Sequence, residues 1–135
     1  LSGPEQGIPV VFIHGGGITG MEVWNKNISY LEEKGYRVLA YDLYGRGYSD
    51  RPKIAYTPEL LYQQLSELLD TLNFPSSLHI VSMSLGSMVA TEFASKSKRH
   101  IISLTLIDPA LTGDYRPNPL LKIPILSNLL LTLYW

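Results

Sequence analysis

The chain has 135 residues, 45% of them hydrophobic, with 11 basic against 12 acidic side chains and a net charge of −1. That makes one domain at most, with apolar material for a real core, and no basic run long enough for nucleic acid; the densest, Lys96-Ser97-Lys98-Arg99-His100, reads as a solvated helix end. With no cysteine, disulfides, thiolate nucleophiles and cysteine-held zinc are excluded, and His14, His79 and His100 do not fall at a metal-ligand spacing.

The opening Leu1-Ser2-Gly3-Pro4 has no initiating methionine and no basic, apolar leader, so the sequence reads as an excerpt of a longer, cytoplasmic protein. Val10-Val11-Phe12-Ile13, bounded by Pro9 and the glycines after His14, predicts a strand buried on both faces. Residues 21–34 follow with Val23, Trp24, Ile28 and Leu31 near helical spacing and Gly35 as a stop. Tyr36 to Tyr41 is the next strand, and residues 42–57, rich in Gly, Pro, Asp and Tyr, form a loop. Thr57 as N-cap and Pro58 in the first turn open a helix whose Leu60, Leu61, Leu65, Leu68, Leu69 and Leu72 make the buried stripe. Residues 78–82 predict a strand, 85–97 a helix and Ile101 to Ile107 another strand. Strand and helix alternate throughout, which implies an α/β three-layer sandwich with a parallel sheet and helices on both faces. There is no internal repeat and no low-complexity segment.

The tail differs. Leu126, Leu129, Leu130 and Leu133 lie at i, i+3, i+4 and i+7, an apolar helical face whose beginning Pro119 and Pro124 break. A membrane span needs about 20 uninterrupted apolar residues, and Lys122, Pro124, Ser127 and Asn128 interrupt this one. It reads as a lid or packing helix whose exposed face needs a partner.

Two stretches carry chemistry. In the first, the apolar run Leu78-His79-Ile80-Val81 stops at Ser82, and Met83, Ser84, Leu85 and Gly86 lead into helix-forming sequence. That is a strand turning abruptly into a helix with Ser84 at the apex, its backbone strained and its hydroxyl pushed clear of both elements. The residues two before and two after must be small; Gly86 meets that demand fully, and Ser82, standing where the common G-x-S-x-G pattern has glycine, meets it approximately. In the second, His14-Gly15-Gly16-Gly17-Ile18-Thr19-Gly20 supports several readings. Gly15-x-Gly17-x-x-Gly20 fits the dinucleotide fingerprint, and Asp42 ends the next strand 22 residues past Gly20, about where a ribose-binding acid belongs. The same loop fits an oxyanion-binding turn of the His-Gly-Gly-Gly type, or simply a tight strand-to-helix turn. Only the oxyanion reading requires a nucleophile on a neighbouring strand end, and Ser84 supplies one.

With these segments in order, Val11-Phe12-Ile13-His14-Gly15-Gly16-Gly17, Trp24, the run from Tyr41 to Pro52, the serine turn, and Ile101 to Ala110, the chain resembles the α/β-hydrolase superfamily. The branch it resembles holds small esterases, C–C hydrolases and related enzymes with a helical cap. The resemblance covers most of residues 8–112 and implies a partial α/β-hydrolase fold: a core over 1–112, beginning at the fold's third strand, and the start of a helical cap over 113–135. It implies strands ordered second, first, third, fourth, with two open edges.

It also implies roles. Ser84 is the nucleophile, and the amides of Leu85 and Gly16 form the oxyanion hole. His14 is then structural, and Asp42 organises a loop. The substrate is a small acyl compound, hydrolysis of an ester or related bond is the expected reaction, and no metal or organic cofactor is expected. The base should be a histidine well downstream of Ser84. His100, near the end of the elbow helix, is a poor candidate, and Asp108, ending the following strand, is a minority candidate for the acid. The triad histidine and its acid are therefore expected outside this chain, which alone would be inactive. The exposed sheet edge and cap helix would serve self-association or pairing with a missing C-terminal half. The competing expectations are a non-catalytic domain of this fold that binds a small molecule or partner, and a dinucleotide-dependent oxidoreductase.

Overall fold

The structure, a computed structural model, describes residues 1–17 and 20–110. The expected cap segment, 113–135, lies outside the described residues. Four strands, β1 (Ile8–Ile13), β2 (Tyr36–Tyr41), β3 (Ser77–Met83) and β4 (His100–Ile107), make one parallel sheet in the order β2-β1-β3-β4, the expected order. Three α-helices connect them: α1 (Asn25–Glu33), α2 (Pro58–Thr71) and α3 (Leu85–Lys96). The helix expected over 21–34 begins instead as a turn of 3-10 helix, Met21–Trp24, before α1 proper.

Alternation along β1 divides the core. Val11 and Ile13 point to the face covered by α2 and α3, where they meet Leu61, Leu65, Leu69, Ile80, Val89 and Phe93. Val10 and Phe12 point to the opposite face, against Val38 and Trp24, with the Phe12 and Trp24 ring centroids 4.8 Å apart. Both faces of the central strand are therefore dry, as a near-continuous apolar run requires. Of the leucine stripe on α2, Leu61, Leu65 and Leu69 are buried, and the Thr57 hydroxyl accepts the Leu60 N–H at 3.2 Å, capping the helix.

The two sheet edges differ from one another. Along β2 the outer edge is partly closed, because Ser2 and Val38 exchange two backbone hydrogen bonds of 2.9 Å each in an antiparallel bridge. The expectation of two open edges is corrected there: the residues before β1 double back onto β2. Along β4 the outer edge carries no strand among the described residues, and the exposed Ile102 and Ile107 face away from the α2/α3 core.

Candidate functional site

The turn between β3 and α3 has the predicted form. Ser84 sits alone between the last strand residue, Met83, and the first helix residue, Leu85. Its backbone takes φ 47° and ψ −119°, a region L-residues rarely occupy and which costs on the order of 1–3 kcal/mol. Neighbouring backbone holds it there. The Ser84 N–H donates to the Ile107 carbonyl at 3.0 Å, and the Ser84 carbonyl accepts from Ser87 at 2.9 Å and Ala110 at 3.2 Å. The small-residue demand is visible on both sides. A methyl group on Gly86 would fall 2.5 Å from the His14 carbonyl oxygen and 2.6 Å from that of Ile13. Ser82 is fully buried, its hydroxyl 3.3 Å from both the Ser87 hydroxyl and the Thr105 carbonyl.

The first glycine loop packs against this turn. A methyl on Gly15 would stand 3.2 Å from Ser84 Cβ, and one on Gly16 3.4 Å from a Leu85 methyl and 3.6 Å from Leu85 Cβ. The three residues expected to act together, Ser84, Leu85 and Gly16, are thus brought side by side at the C-terminal ends of β1 and β3. Those two strands are neighbours in space though not in sequence, and the crevice between them is the switch point where open α/β sheets take their ligands.

His14 and Asp42 underlie the loop. His14 is fully buried; its Nδ1 lies 2.6 Å from the Gly15 carbonyl and its Nε2 accepts the Leu43 N–H at 2.9 Å. These partners assign the proton to Nδ1 and leave Nε2 as an acceptor, a neutral imidazole. Desolvation by burial pushes its pKa below 6.5, against the smaller opposing effects of the Gly15 carbonyl, Asp42 and Glu22. The Asp42 carboxylate, also buried, accepts the Met21 N–H at 2.7 Å on one oxygen and the Tyr48 N–H at 3.0 Å on the other. Its backbone carbonyl accepts from Ser49 at 2.5 Å and from the Gln64 side chain at 3.0 Å. Asp42 therefore joins the start of the 3-10 turn to the loop after β2. With both oxygens committed to backbone amides, it is not presented to a ribose, and the dinucleotide reading loses its acid.

A cavity of about 750 Å³ opens over Ser84, within the range of small-ligand pockets. Gly15, Gly16 and Gly17 line it on one side, Ser84, Leu85, Met88 and Val89 on another, and Arg46, Tyr56, Pro58 and Leu61 opposite. Arg46 and Tyr56 belong to the stretch read as loop, Arg46 also to the run from Tyr41 to Pro52, and neither was expected to line a site; a lone basic residue between Gly45 and Gly47 was the available signal.

The remaining candidates lie elsewhere. His100 begins β4, opposite Ser77, so a whole strand separates it from the turn. His79 is paired with the Ser103 hydroxyl at 2.7 Å on the far side of β3. Asp108 follows β4 with φ 45°, one residue past the carbonyl that holds Ser84, and is exposed. Among the described residues no histidine or carboxylate hydrogen-bonds the Ser84 hydroxyl, and no group of three or more metal-ligating side chains occurs. Nor is any helix among them long and apolar enough to cross a membrane.

Comparison with known proteins fits this architecture. Residues 8–127 match a family described as alpha/beta hydrolase fold. Lipase 1 of Psychrobacter immobilis is 32% identical over 110 residues, covering 81% of this chain and 34% of the lipase. The 2-hydroxy-6-oxo-6-(2'-aminophenyl)hexa-2,4-dienoic acid hydrolase of Metapseudomonas resinovorans is 34% identical over 82 residues, covering 60% of this chain and 28% of that enzyme. The crystal structure of a hydrolase from Pseudomonas aeruginosa PA01 superposes with a TM-score of 0.73 at 28% identity, over 80% of this chain and 40% of that one. The chain spans well under half the length of these relatives.

Proposed function

This chain belongs to the α/β-hydrolase fold family, and from that premise we propose that it carries the nucleophile and oxyanion hole of a serine hydrolase acting on an ester or related acyl substrate. The observation that carries the reading is Ser84 itself. A non-glycine residue held at φ 47° between strand and helix, lining a cavity of about 750 Å³ and packed against a glycine loop, is strain spent on presenting one hydroxyl.

In this mechanism Ser84 Oγ attacks the substrate carbonyl as a base takes its proton. The carbonyl electrons move onto oxygen, where the amides of Leu85 and Gly16 receive them. Losing one such donor typically costs about 3–4 kcal/mol of transition-state stabilisation. The N-terminus of α3 adds a favourable dipole at the same point. Collapse of the intermediate expels the alcohol and leaves an acyl-Ser84, which water then hydrolyses. The base comes from residues outside 1–110, since His14 is committed to Leu43 and Gly15, His79 to Ser103, and His100 lies at the wrong end of the sheet; Asp108 stays a minority candidate for the acid. The 135-residue chain alone is then inactive or nearly so.

The second reading is a non-catalytic member of the fold that binds a small molecule or a partner chain. It is favoured by one observation: each of the three histidines is placed where it does not touch Ser84. Fluorophosphonate labelling of the full-length protein separates the two. The hydrolase reading expects a covalent adduct on Ser84 that Ser84→Ala abolishes; an unlabelled, folded protein leaves the binding reading.

A further inference from the structure

Two hydroxyls are buried together beneath the reactive turn. Ser82, next to last in β3, and Ser87, third in α3, are both fully buried, and their oxygens lie 3.3 Å apart. The Ser82 hydroxyl is also 3.3 Å from the Thr105 carbonyl of β4. Alternation along β3 puts Ser82 on the face of Leu78 and Ile80, which α3 covers with Val89, Ala90 and Phe93. In such apolar surroundings a hydroxyl costs free energy unless its proton finds an acceptor. Each serine has one proton to place and two lone pairs to offer. Among these three oxygens one arrangement serves both protons: Ser87 donates to Ser82, and Ser82 donates to the Thr105 carbonyl. The first turn of α3 is thereby linked to β4. Both links exceed the about 2.7–2.8 Å usual for a hydroxyl bond, so any further retreat of α3 breaks them. Glycine at position 82, the usual occupant of the pattern, makes no such bond.

We propose that Ser82 and Ser87 are positioning residues of the reaction. They bracket Ser84 and Leu85 in sequence, so the bond between them closes the bend across its base. It fixes the angle at which α3 leaves β3, and with it the place of the Leu85 amide relative to Ser84 Oγ. Being fully buried, neither hydroxyl touches substrate. The proposal rests on the reading of Ser84 as the nucleophile of a serine hydrolase. An oxyanion donor acts on charge that forms only in the transition state, so displacing it lowers kcat and leaves KM nearly unchanged.

The test measures kcat, KM and the urea midpoint in the full-length protein, with p-nitrophenyl acetate as substrate, for Ser82→Ala, Ser87→Ala and the double variant. Ser82→Ala leaves the Ser87 proton without its acceptor, so the midpoint falls; adding Ser87→Ala removes that proton, and the midpoint recovers. kcat is expected to drop on the order of tenfold in each single variant and to stay low in the double, with KM close to the parent's throughout. A pair that served stability alone would let kcat recover with the midpoint. That recovery, an unchanged kcat in both single variants, or a loss carried by KM overturns the proposal. So does a double variant as unstable as Ser82→Ala, which would mean the two hydroxyls are not bonded to one another. Should Ser82→Ala fail to fold, Ser87→Ala, which leaves Ser82 its Thr105 acceptor, decides by the same split between kcat and KM. A parent protein without Ser84-dependent hydrolysis removes the hydrolase reading and this proposal with it; Ser84-dependent hydrolysis indifferent to both hydroxyls removes this proposal alone.

Discussion

The α-carbon of Gly86 lies so near β1 that a methyl group added to it would stand 2.5 Å from the carbonyl oxygen of His14. The obstacle is backbone at the end of a central strand, which cannot swing aside as a flexible side chain can. Gly86→Ala should therefore cost at least the ~1–3 kcal/mol usual for overpacking. Urea denaturation measures it, and an unchanged midpoint with an unchanged m-value means the two elements are not in contact as described.

Ser84 offers a cleaner contrast, because its strain is local. Ser84→Gly relieves about 1–3 kcal/mol of backbone strain and adds back roughly 0.5–1 kcal/mol of unfolded-state entropy. The variant should be as stable as the parent or more so, whereas Ser84→Ala, with the same φ to satisfy, should gain nothing. Both lose covalent labelling at this position. Equal stabilities for the Gly and Ala variants would show that φ 47° stores no energy here.

His14 makes folding sensitive to mild acid. Its Nε2 accepts a backbone N–H, so a proton there sets two donors face to face. The ion-pair distance of 4.0 Å to Asp42 favours the proton but is outweighed by desolvation, which leaves the folded-state pKa below 6.5. The unfolded chain thus binds a proton that the folded chain does not. Stability from this group is complete above about pH 6.5 and is lost as pH falls from there toward the lower folded value, at up to about 1.4 kcal/mol per pH unit. Denaturation midpoints between pH 5.5 and 7.5 read the slope, and NMR titration of the His14 ring assigns it. A ring that titrates at or above 6.5 in the folded protein contradicts the prediction.

Asp42 uses both carboxylate oxygens as acceptors of backbone N–H groups, from Met21 and Tyr48. Asn in its place keeps the shape but turns an amide NH2 toward one of those donors. Leaving one buried N–H unsatisfied costs about 1–3 kcal/mol. Asp42→Asn should lower stability by that amount and speed amide hydrogen exchange at Met21 or Tyr48 selectively. Uniform acceleration across β1 and β2 would instead indicate global loosening. Gly47 is tied to the same carboxylate, since a Cβ there would collide with it, so Gly47→Ala should act in the same direction.

Much of this was legible in the residues. β1 and β2 are apolar runs punctuated by Gly and Pro, and α2 announces itself by Thr57, Pro58 and its leucines, because burial and capping act on neighbours in sequence. The juxtaposition of the two glycine-containing turns was legible too, since right-handed parallel crossovers bring successive strand ends to one edge. What stayed hidden depends on distant partners. Nothing in Leu1-Ser2-Gly3-Pro4 indicates that Ser2 bridges Val38. The 3-10 start at Met21 follows from the pull of Asp42 on the Met21 amide, which periodicity does not register. Ser82, a blemish in the expected pattern, proves to share its hydroxyl with Ser87 across the turn. Arg46 and Tyr56 reach the cavity only because the loop after β2 folds over it.

Of the three hydrogen bonds that grip the Ser84 backbone, one comes from Ser87 in its own helix and two from Ile107 and Ala110, so the reactive bend is hung from the last strand and its exit as well as from the helix it opens. Among the described residues that strand is the sheet's bare margin. A foreign strand laid along that border therefore bears on the serine through the Ile107 carbonyl, and chemistry at the bend becomes a gauge of what the margin is touching.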